Sequence, residues 1–186
     1  MPGAVDSRGD IYLADYENSR IRKVTAATGI VDTVAGSSPC SSGPPPFGGL
    51  AICQGAYAGD GGPAIGARLN YASSVTVDIA GNLYIADTLN HRIRRVDAST
   101  GTIGTIAGDG VSGFSGDGGP ALGAEITTPA GIAIDYAGKI YFADEANGRI
   151  RVLTPAAPQR YAACKRSVEP DRRRVAGTHP GVFGAA

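Results

Sequence analysis

Histidine, cysteine and the large aromatics are scarce in this chain, and each shortage closes off some chemistry. The sequence contains two histidines, three cysteines, one methionine and no tryptophan. His91 and His179 are isolated and cannot build a histidine-rich metal cluster, so no metal and no cofactor is expected. An odd cysteine count gives no disulfide framework. Cys40 and Cys53 flank a glycine- and proline-rich loop. They either staple it in an oxidising compartment or stay as free thiols. No G-x-S-x-G elbow, Cys–His arrangement or lysine-bearing phosphate loop is present, so no catalytic residue is assigned. No apolar run approaches the roughly 18 residues of a membrane span. Met1 leads straight into patterned sequence, without a signal peptide. Localisation therefore stays open; a secreted or cell-surface parent would carry its signal outside this chain.

The formal charge is zero, but it is unevenly placed. Residues 1–155 carry 11 Lys and Arg against 15 Asp and Glu, whereas residues 156–186 carry 6 against 2. The acidic body shows no basic stripe, which argues against a nucleic-acid partner. What the chain does have is glycine, 28 residues, within a composition that is 42% apolar. Abundant glycine in a chain able to pack a core points to many tight turns and many short strands.

Three segments align without gaps: Val5 to Val24, Val77 to Val96 and Ile134 to Leu153. The offsets are 72 and 57 residues, and the extra 15 fall between Gly36 and Gly59. A second block, GDGGPAIGARL from Gly59, recurs as GDGGPALGAEI from Gly116, again 57 residues on. Each unit reads as four strands, as in Ser74 to Asp78, Asn82 to Asp87, Arg92 to Asp97 and Thr102 to Gly108. Runs of Ile, Val, Tyr and Thr between Gly, Asn and Asp turns make an antiparallel meander. One such sheet cannot bury both faces, and radial repetition solves that problem. The expected fold class is all-β, an incomplete β-propeller of four-stranded antiparallel blades with an irregular C-terminal tail. The expected boundaries are repeats over 2–155 (about 2–36, 74–108 and 131–155, with inter-blade loops 37–73 and 109–130) and a basic tail over 156–186.

The wording G-x-[IL]-Y-[IVLF]-A-D-x-x-N-x-R-I-R occurs three times and resembles the NHL repeat. The FSGDGGPA-type loop resembles a bacterial subset of that family. The resemblance covers about residues 2–154 and implies a ring in which six blades commonly close. This chain reads as two nearly complete blades and three strands of a third, so its uncovered blade faces are expected to self-associate. The tail stays divided between a solvated basic segment, a truncation or frame change in the parent gene, and a contact for anionic surfaces through Arg172, Arg173 and Arg174.

Every unit repeats the D-x-x-N-x-R-I-R element, which suits architecture better than a unique site. The asparagine is expected in the left-handed turn position, and the arginine that starts the next strand is expected to pair with a carboxylate. Asp60 and Asp117 sit in glycine-permitted turns, and each block offers too few oxygens for calcium. In a meander, the D-x-x-N loops and the inter-blade loops open at one end. The candidate binding residues on that face are Tyr16, Glu17, Asp87, Asn90, His91, Phe114, Asp117 and Glu145. The expected function is a non-catalytic binding or scaffold module recognising a protein or a glycan through that face. The alternative is a piece of a propeller lyase or lactone hydrolase whose catalytic residues lie in other blades. RNA binding, known for some NHL propellers, is disfavoured by the acidic body.

Overall fold

The computed structural model describes residues 3–37 and 57–154. The Cys40–Cys53 pair, nearly all of the 37–56 insertion, Cys164, His179 and the 156–186 tail lie outside the described residues.

The fold is all-β. Blade one comprises β1 (Gly3–Val5), β2 (Ile11–Asp15), β3 (Arg20–Val24) and β4 (Val31–Ala35). Blade two comprises β5 (Ala72–Val77), β6 (Leu83–Asp87), β7 (Arg92–Val96) and β8 (Ile103–Ala107). Blade three comprises β9 (Pro129–Ile134), β10 (Ile140–Asp144) and β11 (Arg149–Leu153). Strands pair antiparallel in chain order within each sheet, and the third sheet has three strands among the described residues. No α-helix occurs among them; single 3₁₀ turns punctuate the loops.

The first hairpin of every blade turns on one aspartate. Oδ1 of Asp78 accepts the backbone N–H groups of Ala80 and Asn82, and Oδ1 of Asp6 and of Asp135 do the same in blades one and three. This side-chain mimic of a backbone turn fixes the register of the first two strands. The other oxygen accepts the hydroxyl of the repeated tyrosine: Tyr12 on Asp6, Tyr84 on Asp78 and Tyr141 on Asp135.

Alternating apolar side chains then pack blade on blade. One core cluster joins Ala14 and Ile21 of blade one to Val75 and Ile85 of blade two. A second joins Tyr84, Ala86 and Ile93 of blade two to Ile132 and Phe142 of blade three. Each fully buried Ile contributes about 1.5–3 kcal/mol. Burial of the repeated tyrosine records which blades have a neighbour. Tyr12 and Tyr84 are buried, whereas Tyr141, on the last described blade, is 38% exposed.

Candidate functional site

The D-x-x-N loops fold as 3₁₀ turns between the second and third strands: Tyr16–Asn18, Thr88–Asn90 and Glu145–Asn147. The asparagine is not the left-handed residue, contrary to expectation. That conformation falls one position later, at Ser19, His91 and Gly148, with φ of 50°, 54° and 62°. The asparagine instead ends the turn, and its Nδ2 donates to the aspartate three residues back, at 2.8–2.9 Å in all three blades. The asparagine is thus chosen for its amide donor rather than for tolerance of positive φ.

The second arginine of the element, not the first, meets the aspartate. Arg94 Nη1 lies 3.2 Å from Asp87 Oδ2, with both side chains wholly buried. The corresponding distances are 3.7 Å for Arg22–Asp15 and 3.4 Å for Arg151–Asp144. Strand alternation explains the choice: two residues further along, the side chain returns to the same face, where it reaches diagonally to the carboxylate. Asp87 Oδ1 also accepts the Asn70 backbone N–H at 2.7 Å. Burial pushes the Asp87 carboxyl up, against the hydrogen bonds from Asn90, Asn70 and Arg94.

The GDGG blocks supply a second carboxylate to the same arginines. Asp60 contacts Arg94 Nη2, and Asp117 Oδ1 lies 2.7 Å from Arg151 Nη2. In blade two the block also closes onto β8. Gly61 N–H donates to the Ile103 carbonyl at 2.8 Å, and Ile103 N–H donates to the Gly62 carbonyl at 3.0 Å. Asp60 Oδ2 accepts the Thr105 N–H at 2.9 Å and the Tyr57 hydroxyl. Burial works to raise the Asp60 carboxyl, but bonds from Tyr57 and Thr105 and the Arg94 charge outweigh it and hold it low. Aromatics of the inter-blade loops stack on the arginines. Tyr57 lies 4.0 Å from Arg92, and Phe114 lies 3.8 Å from Arg149.

These contacts sort the eight candidate residues. Asp87 and Asn90 are buried and committed to one another and to Arg94, which corrects their assignment to a binding face. His91 is half-buried, and its Nδ1 accepts the backbone N–H of Thr128 at 3.2 Å, joining blade two to blade three. Ser19 does the same for Tyr71 at 3.0 Å between blades one and two. Burial pulls the His91 imidazole below its ordinary range, against the raising influence of the Asp144 charge. Tyr16, Glu17, Phe114, Asp117 and Glu145 are exposed. Tyr16 meets Tyr71 edge-on at 4.9 Å between ring centres. The two loop sets do meet at one end: Asn147 Nδ2 donates to the Gly113 carbonyl at 2.8 Å, and Arg92 Nη1 donates to the Gly108 carbonyl at 2.8 Å. Leu89 and Val111 add exposed apolar surface there.

The opposite end holds a feature that the repeat pattern does not announce. Ile79 and Tyr136 occupy the first-hairpin turns of blades two and three, and both are fully exposed. They border a cleft of about 690 Å³ with Val77, Tyr84 and Ile134. The only sequence sign is the residue after the turn aspartate: Ser7 in blade one, but apolar or aromatic in the other two. Among the described residues no three His, Cys, Asp or Glu side chains converge on a metal position, and no helix is long and apolar enough to cross a membrane.

A family model described as the NHL repeat matches residues 4–24. Protein SUPPRESSOR OF QUENCHING 1, chloroplastic, of Arabidopsis thaliana is 33% identical over 144 residues, which cover 77% of this chain and 13% of that protein. NHL repeat-containing protein 2 of Bos taurus is 32% identical over 145 residues, 77% of this chain and 18% of that protein. The chain thus spans less than a fifth of the length of either relative. Among solved structures, a structural genomics protein of unknown function from Bacteroides thetaiotaomicron superposes with a TM-score of 0.62 at 24% identity. That match covers 77% of this chain and 32% of that one, a likeness of fold alone.

Proposed function

Starting from the premise that this is an NHL-repeat chain, we propose that it is a non-catalytic binding module that recognises a protein or a glycan through its D-x-x-N loop face. One observation carries the reading. In blade two the repeated aspartate, asparagine and second arginine are buried and bonded to each other, whereas several loop residues that vary between blades are exposed. The repeated Asp87, Asn90 and Arg94 bond to one another inside the fold. The varying Tyr16, Leu89, Val111 and Phe114 present apolar surface at one end. Rigid frame and variable loops are the arrangement on which recognition surfaces are usually built. Apolar and aromatic groups rimmed by Glu17, Asp117 and Glu145 suit a partner that brings apolar contacts and hydrogen-bond donors.

The test is a binding screen of the full chain against a glycan array and a displayed peptide library, followed by two variants. Tyr16→Ala with Leu89→Ala removes exposed groups from the loop face. Ile79→Ala with Tyr136→Ala removes them from the opposite end. Loss of about tenfold or more in affinity, over 1.4 kcal/mol, from the first pair alone supports the reading. Loss from the second pair alone transfers recognition to the cleft between the first-hairpin turns and overturns it.

A further inference from the structure

We propose that Asn147–Gly148 is a deamidation site gated by the fold, and that its product unseats the inter-blade loop carrying Phe114. The chain has five asparagines, and Asn147 is the one followed by glycine. Its counterparts Asn18 and Asn90 precede Ser19 and His91. In an asparagine–glycine pair no side chain shields the next backbone nitrogen, which can then attack the asparagine side-chain carbonyl carbon. Neither space nor backbone conformation demands the glycine here. A Cβ at Gly148 would meet nothing within 4 Å. Ser19 and His91 hold the same left-handed conformation, with φ of 50° and 54° against 62°.

The folded turn opposes the reaction. Asn147 Nδ2 donates to Asp144 Oδ1 and to the Gly113 carbonyl, both at 2.8 Å. Gly148 N–H donates back to the Glu145 carbonyl at 2.9 Å. Ring closure requires the amide to turn and the glycine nitrogen to leave its acceptor, so it awaits local opening of the turn. The Gly148 nitrogen then bonds to Asn147 Cγ, the Cγ–Nδ2 bond breaks, and the proton leaves with the nitrogen as ammonia. Water opens the resulting succinimide at either carbonyl and leaves an aspartate or an isoaspartate.

Neither product can remake the turn. The Nδ2 donor becomes a carboxylate oxygen that faces two acceptors, the wholly buried Asp144 carboxylate and the Gly113 carbonyl. Arg151 already answers two carboxylates, Asp144 and Asp117. An unpaired carboxylate beside a buried one is costly. Gly113 keeps its bond from Thr127 Oγ1 at 3.0 Å but loses its tie to the D-x-x-N turn. Phe114, the next residue, is stacked on Arg149, so the stretch from Val111 to Ser115 loosens with it.

The test incubates the full chain at mildly alkaline pH, folded and in urea, and follows tryptic peptides by mass spectrometry. Trypsin releases Ile140 to Arg149, which contains one asparagine, so a gain of one mass unit reads the reaction there. Conversion should run at least about tenfold slower in the folded chain than in urea. In urea Asn147 should outpace Asn18 and Asn90, and Gly148→Ser should bring it down to the pace of Asn18. In the full-length variant Asn147→Asp, amide hydrogen exchange over Val111 to Ser115 should rise above that of Gly148→Ser, which keeps the amide. Equal rates folded and unfolded, or an Asn147 no faster than Asn18 in urea, overturn the proposal. Unchanged exchange in Asn147→Asp overturns the claim for the loop. The mass readout uses the unaltered chain, so it stands whatever the variant does to stability. No readout involves ligand binding, so failure here leaves the recognition surface untouched, and the reverse.

Discussion

Replacing Asp87 by alanine should cost far more stability than replacing Asp15, although the two occupy the same position in the repeat. Asp87 is wholly buried and accepts bonds from Asn70, Asn90 and Arg94. Its removal strands a wholly buried guanidinium with Asp60 as its remaining carboxylate. Breaking a buried pair by deleting one partner costs about 3–5 kcal/mol. Asp15 is partly exposed, its arginine is 3.7 Å away, and Arg22 keeps a third of its side chain in water. Water replaces the lost partner there, and the expected cost is roughly 1 kcal/mol or less. Urea denaturation followed by circular dichroism at neutral pH would measure the difference. The thermal midpoint should separate the two variants by on the order of 10 °C. A double substitution of Asp87→Ala with Arg94→Met should cost less than the sum of the single changes, because the stranded charge goes with its partner. Equal effects of Asp87→Ala and Asp15→Ala, within about 0.5 kcal/mol, would refute the view that burial rather than motif sets the strength of these pairs.

Two further outcomes follow from neighbouring contacts. His91 must be neutral to accept the Thr128 N–H, and its folded pKa lies below the ordinary value of 6.5. The unfolded chain therefore takes up the proton first, so this contact stabilises fully above pH 6.5 and is progressively lost as pH falls below it. His91→Ser, which restores the acceptor found at Ser19, should flatten the stability profile between pH 7 and 5; an unchanged slope would count against the staple. Tyr84→Phe should lower stability by about 1 kcal/mol through the buried bond to Asp78, and Tyr141→Phe by less than half of that. Parallel denaturation curves test the pair, and equal losses would contradict the blade-by-blade burial.

Strand positions were legible because the periods of two and of 57 coincide with turn residues throughout the repeats. The pairing of Asp60 with Arg94 was legible in principle. The same separation, 34 residues, recurs between Asp117 and Arg151, and a shared spacing across copies is a contact signal. Inequality between copies was not legible. Arg22, Arg94 and Arg151 sit in identical motifs, yet their exposure depends on what lies alongside, which no local pattern encodes. Asp87 and Asn90 were misplaced on the binding face for that reason: they lie in a loop by sequence but face inward in space. Ile79 and Tyr136 escaped notice because single exposed apolar residues are ordinary until two of them flank one cleft.

The bonds between Gly61–Gly62 and Ile103 have a mechanical consequence. They join the stretch ahead of blade two to that blade's last strand, so the intervening chain becomes a closed circuit. Such a circuit cannot be unravelled strand by strand from its end; the clasp has to give way first. Stretching the chain from its termini should therefore leave the two four-stranded units unequal in their resistance, with the clasped sheet releasing its whole length in one step. A blade fastened by residues that precede it is also committed late in folding, when both ends of that circuit have been made and can meet.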